Sequence, residues 1–289
     1  MLGGSVMTST VGVVTGAGRG MGSECAGRLA DTVDRMLLVD VDDAAVTAVA
    51  HRLSREGERV VEPFVLDITD VEGLGRLAAR VSELGALRAV AHVAGISPTM
   101  ADWRRILTVD LIGTASLADA LRPLATGVTA WVCFASMAPV IGGLTIDSDT
   151  ADALDDPLHD HFLDRLRASV GPMVEQPGVA YSLAKLGVQR FVQQEAVRLG
   201  PVGGRICSIS PGLIDTPQGR QEAAGNPRMA AWAQQTPLQR LGRADEVAAV
   251  AEFLLSDAAS FLSGIDLLVD GGLCAAVRGP QPVVEAGAT

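Results

Sequence analysis

Short apolar runs alternate with segments of helical period along most of the chain, and that alternation sketches the fold. Residues 11–14 are apolar and give way to a glycine-rich turn, after which Cys25, Ala26, Leu29 and Ala30 recur at the spacing of one helix face. The pattern then repeats. Strands are predicted at 36–40, 60–68, 86–94, 131–136, 204–210 and 264–272, with helices at 44–53, 71–84, 103–124, 181–199 and 245–255. Strands that alternate with helices throughout predict an α/β protein with a doubly wound parallel sheet, because a parallel pair needs a crossover long enough to hold a helix. Residues 11–278 form one such domain. Residues 1–10 read as a flexible N-terminal segment and 279–289 as a C-terminal surface arm.

The alternation fails in two places. Residues 139–180 run through glycines, an acidic cluster (Asp147, Asp149, Asp152, Asp155, Asp156) and His159-Asp160-His161, and read as a helical insertion. The His-x-His spacing fits no definite metal site, and no metal is expected. Residues 213–240 are polar and alanine-rich with scattered prolines, as in a mobile substrate lid.

Chemistry concentrates at the predicted strand ends. Thr15-Gly16-Ala17-Gly18-Arg19-Gly20-Met21-Gly22 lies between a strand and a helix, where small residues let the backbone approach a pyrophosphate at the helix N-terminus. Asp40 closes the second strand. A carboxylate there holds the adenosine ribose hydroxyls and repels a 2′-phosphate, which favours NAD; Arg19 in the turn is the one vote for NADP. Asp67 can meet the adenine amino group or N-cap the next helix. Ser136 ends the fifth strand. Tyr181, the chain's one tyrosine, and Lys185 share a helix face, so the ammonium is expected to favour phenolate and bring a phenol of ordinary pKa ~10 toward neutrality.

Composition narrows the partners. The chain has 289 residues, 48% hydrophobic and 20% charged, with a formal net charge of −11 and no basic run. An acidic surface argues against nucleic acid and anionic membranes. No apolar run reaches the roughly 18 residues of a membrane span. Four scattered cysteines, Cys25, Cys133, Cys207 and Cys274, fit a reducing cytoplasm better than a disulfide framework.

These pieces, in this order, resemble the short-chain dehydrogenase/reductase (SDR) family from Val11 to Gly272, with Ala94-Gly95, Pro211-Gly212 and Val269-Asp270-Gly271-Gly272 as further matches. The resemblance implies a single Rossmann-type domain and NAD-dependent oxidation or reduction of a small-molecule alcohol or ketone. It assigns Ser136 to the substrate oxygen, Tyr181 to proton exchange, and Lys185 to the tyrosine and the nicotinamide ribose. It implies cofactor contacts at Gly16, Arg19, Gly20, Met21, Gly22, Asp40, Asp67, Ile68, Ala94, Gly95, Tyr181, Lys185, Pro211, Gly212, Ile214 and Thr216. A homodimer or homotetramer is implied too. Two positions depart from the family: His92 stands where a structural asparagine is usual, and Asp110 stands where an asparagine completes the catalytic set. The long insertion before Tyr181 is most similar to the bacterial 3α-hydroxysteroid dehydrogenase/carbonyl reductase group, which implies bulky secondary alcohols. Sugar alcohols, 3-oxoacyl thioesters and a non-catalytic dinucleotide-binding role are the alternatives.

Overall fold

The computed structural model describes residues 9–55 and 60–279. The strands are β1 (Thr10–Thr15), β2 (Arg35–Asp40), β3 (Val60–Val65), β4 (Ala86–His92), β5 (Ala130–Phe134), β6 (Arg205–Pro211), β7 (Ile214–Asp215), β8 (Gly242–Arg243) and β9 (Asp266–Val269). The helices are α1 (Gly20–Leu29), α2 (Asp43–Arg55), α3 (Val71–Leu84), α4 (Trp103–Leu107), α5 (Gly113–Leu121), α6 (Ala138–Ile141), α7 (Ser148–Leu154), α8 (Phe162–Val170), α9 (Pro177–Leu199), α10 (Pro217–Gly225), α11 (Pro227–Gln235), α12 (Ala244–Leu255) and α13 (Leu273–Arg278). Among the described residues, seven strands form one parallel sheet in the order β3-β2-β1-β4-β5-β6-β9. The short pair β7-β8 stands apart.

Strand side chains alternate between two cores. In β1, Val11 and Val13 face one layer and Val14 the other; in β2, Leu37 and Val39 part in the same way from Met36 and Leu38. The first layer is closed by α3, α5 and α9, the second by α1, α2 and α12. Each helix offers a stripe at helical spacing, as in Leu74, Leu77, Val81 and Leu84 of α3, or Val46, Val49, Ala50 and Leu53 of α2. β1 to β3 run outward, and the chain returns to lay β4 on the other flank of β1. The strand order thus reverses between β1 and β4, and their carboxyl ends open a crevice.

Several boundaries differ from the sequence pattern. Thr10 belongs to β1 instead of a flexible segment: its N–H and hydroxyl both donate to Asp34, at 2.7 and 2.8 Å. The remaining expectations for the N-terminal segment and the C-terminal arm lie outside the described residues, except at Ser9 and Gly279. The single helix expected at 103–124 is divided by a π-helical turn, Thr108–Ile112, with Asp110 at its centre. The inserted segment forms α6, α7 and α8, and Leu154, Phe162, Leu166 and Val174 sink into the same core as α9. Asp155 clasps Arg190 of α9 through two hydrogen bonds of 2.7 and 2.6 Å, fastening the insertion to its own domain. His159 and His161 remain on its exposed side, and no group of three or more metal-ligating side chains occurs among the described residues.

His92 supplies a cross-link where the family pattern has asparagine. Thr114 Oγ1 donates to the Asp110 carbonyl (2.8 Å), so toward His92 Nε2, also 2.8 Å away, it acts as acceptor and the proton sits on Nε2. Nδ1 is then an acceptor for the Thr15 hydroxyl at 2.7 Å, while Thr15 Oγ1 accepts the Ala94 N–H at 3.2 Å. One neutral imidazole thereby joins β1, β4 and α5 with every donor matched. Burial, reinforced by the charge of Lys185, lowers the His92 pKa to about 3. The unfolded chain takes up this proton below the ordinary value near 6.5 while the native state refuses it. Stability is therefore complete above about pH 6.5 and falls as pH drops toward 3, by up to about 1.4 kcal/mol per unit. Urea unfolding at pH 7 and pH 5 is expected to show a loss of about 2 kcal/mol in the native protein that His92→Asn largely removes; the same loss in both proteins would contradict this role.

Candidate active site

The glycine turn is shaped by what it excludes. Gly16 has φ +67°, and a Cβ on it would lie 2.8 Å from the Ala94 nitrogen; one on Gly22 would lie 1.9 Å from the Gly16 carbonyl oxygen. β1, β4 and α1 can approach this closely only without those atoms. Arg19 precedes the helix without offering a side-chain cap, so the first N–H groups of α1 are open to an anion. Asp40, at the end of β2, accepts from Gly18 N–H at 2.8 Å and from Asp42 N–H at 3.0 Å. Its carboxylate is fixed against the turn rather than loose at a strand end.

These groups line one cavity of about 870 Å³, together with Ile68, Gly95, Ser136, Tyr181, Lys185, Pro211, Gly212, Ile214 and Thr216. Every residue expected to touch cofactor reaches this cavity, as do Ser136, Tyr181 and Lys185. Asp110 does not. It lies behind Gly95, where a Cβ would sit 3.0 Å from Asp110 Oδ1 and 3.1 Å from Lys185 Nζ. Asp67 does not cap the helix that follows: its Oδ1 accepts from Thr69 N–H and hydroxyl at 2.9 and 2.8 Å, and Oδ2 pairs with Arg105 at 2.7 Å. Arg105 itself borders the cavity, a contact for which the sequence carries no signal.

Helix α9 starts with Pro177 in its first turn, a position where the missing N–H costs nothing. Ala180, Leu183, Ala184 and Val188 bury one side of it, which turns Tyr181 and Lys185 toward the crevice. Lys185 Nζ lies 5.7 Å from the Tyr181 ring centre and donates to the Phe134 carbonyl at 3.1 Å. It faces Asp110 Oδ2 at 3.7 Å. Asp110 Oδ1 accepts the Ile96 N–H at 2.8 Å, whereas buried Oδ2 has no hydrogen-bond partner among the described residues. Burial raises the Asp110 pKa, opposed by the Lys185 charge and the Ile96 hydrogen bond.

The protein's own groups also push Tyr181 the opposite way from the sequence expectation. Its pKa lies above the ordinary phenol value, first because partial burial withdraws the phenol from water, then because the Asp110 and Glu222 charges disfavour phenolate. A hydrogen bond with the Ser136 hydroxyl acts in the other direction. Lys185 is directed at Asp110 and Phe134 and does not offset that burial. The phenol is thus held as an acid beside a hydroxyl, ready to share a hydrogen bond with a carbonyl or carbinol oxygen.

The insertion and the expected lid build the other half of the cavity. Ile141, Gly142, Leu144, Gly178 and Val179 come from the two ends of the insertion, while Glu222, Met229 and Trp232 come from α10 and α11. The residues present suit a nicotinamide dinucleotide: the cradle that a Cβ would fill and the open helix N-terminus suit its pyrophosphate, and the fixed Asp40 suits a ribose diol.

Residues 10–138 match the family model described as short chain dehydrogenase, and residues 167–274 match the one described as Enoyl-(Acyl carrier protein) reductase. The chain is 32% identical over 285 residues to the cis-4-hydroxycyclohexanecarboxylate dehydrogenase of Sinomonas cyclohexanicum, covering 94% of this chain and 99% of that protein. It is 28% identical over 270 residues to the galactitol 2-dehydrogenase (L-tagatose-forming) of Cereibacter sphaeroides, covering 90% and 92%. Among solved structures, levodione reductase superposes with a TM-score of 0.72 at 28% identity, over 92% of this chain and 98% of that one. The likeness extends through both halves of the cavity, beyond the glycine turn alone, and the chain belongs to the short-chain dehydrogenase/reductase family.

Proposed function

We propose that the chain is an NAD-dependent oxidoreductase that interconverts a secondary alcohol and its ketone. The observation that carries this reading is the convergence of Ser136, Tyr181 and Lys185 in a cavity whose far end holds Asp40. The dinucleotide, when bound, supplies the carrier for hydride. Ser136 holds the substrate oxygen by a hydrogen bond. Tyr181 receives the carbinol proton in oxidation and returns it to the ketone in reduction. Lys185 anchors the nicotinamide ribose. Asp110 is a positioning residue that acts through Lys185 and has no access to the cavity.

NAD is favoured over NADP because Asp40 is locked in place by two backbone N–H groups and a 2′-phosphate would meet its charge. Arg19 is exposed and makes no side-chain contact with Asp40 that would neutralise it. We extend the substrate class beyond the hydroxysteroids expected from the insertion, since the relatives described above are named for 4-hydroxycyclohexanecarboxylate, galactitol and levodione. Cyclic and polyhydric secondary alcohols are the compounds to test first. Association into a homodimer or homotetramer belongs to the same reading, supported by the exposure of Leu268 on edge strand β9, of Phe261 in the segment leading to it and of Phe253 on α12.

Tyr181→Phe is expected to lower kcat by roughly a hundredfold or more while NAD binding, read by calorimetry, stays unchanged; retained turnover would reject Tyr181 as the proton carrier. Asp40→Ala is expected to reduce the ratio of kcat/KM with NAD to that with NADP by about tenfold or more, and a native enzyme that prefers NADP would overturn the reading of Asp40. In Asp110→Asn one of the charges that disfavour phenolate is gone. Alcohol oxidation is therefore expected to persist, with the rising limb of its pH profile moved to lower pH; complete loss of activity, or a limb that stays in place, would show that the carboxylate acts otherwise.

A further inference from the structure

Glu222 is the one acidic side chain that the two-helix lid brings to the cavity. It sits on α10, whose first turn is capped by Thr216 accepting from Gly219 N–H at 3.0 Å, so its place on the helix is set from within the fold. The same cavity is lined by the apolar Met137, Leu144, Val179, Met229 and Trp232, and by Gln218, Asn226 and Arg228 from the same two helices and their junction, none of which bonds to Glu222. The Glu222 carboxyl is partly buried and makes no hydrogen bond or ion pair with a described residue. It also lies close enough to Tyr181 for its charge to act on the phenol. An acceptor withdrawn into this wall with no partner in the protein is satisfied by a donor that arrives with the ligand.

We propose that Glu222 reads the substrate, accepting a hydrogen bond from a second hydroxyl close to the carbon that is oxidised, and that it thereby selects diols and hydroxyketones over simple alcohols and against carboxylates. A neutral donor suits the place better than an ammonium, which would come near the Lys185 cation and a cationic nicotinamide ring. The apolar side chains opposite carry the carbon skeleton, so the alcohols selected are compact and hydroxylated on one side. This assignment rests on the oxidoreductase reading above and adds to it the chemical class of the substrate.

The test compares cyclohexanol with vicinal cyclohexanediol on the full chain with NAD. Two quantities are read: kcat/KM, and the dissociation constant of each alcohol for the NAD-saturated protein, followed by the change in tryptophan fluorescence, Trp232 being the one of the three tryptophans that lines the cavity. The native protein is expected to favour the diol by roughly tenfold or more in both. Glu222→Leu is expected to bring both ratios near unity, and Glu222→Gln, which keeps an acceptor of the same length, to preserve the preference. Equal binding of the two alcohols by the native protein, or a ratio unchanged in Glu222→Leu, would overturn the proposal. Preserved selective binding with no turnover of either alcohol would instead overturn the oxidoreductase reading and uphold the role of Glu222.

Discussion

A buried ammonium and a buried carboxylate face each other at 3.7 Å behind Gly95, and the chemistry of the cavity depends on how Lys185 and Asp110 share that space. Neither group is free to turn to water. Lys185 is held by the Phe134 carbonyl as well, and Asp110 by the Ile96 N–H, so the pair is tied to β5 on one side and to the loop after β4 on the other. Removing a charge from water is costly, and each partner reduces that cost for the other. The consequence for Tyr181 is indirect. A lysine engaged in this way does little for the phenol, which keeps its proton under its partial burial and the nearby negative charges. Whatever draws the proton off must come with the ligand, and the oxidised nicotinamide ring carries a positive charge suited to that task.

The two halves of the cavity are built by different means. On the cofactor side, close backbone approach sets the shape: the missing Cβ atoms of Gly16 and Gly22 bring β1, β4 and α1 together, and Asp40 braces the turn. Such a surface is fixed once the sheet forms. On the other side, the wall comes from the ends of a long insertion and from the two short helices α10 and α11. The middle of that insertion is bound to α9 by apolar burial and by Asp155 with Arg190, which leaves only its ends to shape the pocket. Variation in substrate can therefore be accommodated without disturbing the dinucleotide cradle, as expected where function is grafted onto a shared scaffold.

Periodicity made most of the scaffold legible. The helix predicted at 71–84 has those bounds in the structure, because an apolar stripe bounded by Asp70 and Gly85 leaves little freedom in where it begins and ends. The glycine turn and the Tyr181 helix were equally readable, since each needs particular residues at particular spacings. The π-helical turn at Asp110 left no trace in the pattern, as one extra residue in a turn barely changes the periodicity of an apolar face. His92 read as a departure from the family, yet the structure gives it partners in Thr15 and Thr114 that no local pattern could bring together. Arg105 and Glu222 were missed for the same reason. Their roles depend on how distant segments fold against the cavity, and each is one charged residue among many along the chain.

Tyr181 being the chain's one tyrosine allows its protonation to be observed directly. With tyrosine labelled at Cζ, the protein gives a single carbon resonance whose position reports phenol or phenolate. Titrated without added dinucleotide, that resonance is predicted to stay in the phenol form throughout the neutral range, and with saturating NAD its transition is predicted to move toward neutral pH. A phenolate already present at neutral pH without NAD, or a titration that NAD leaves unmoved, would contradict the account.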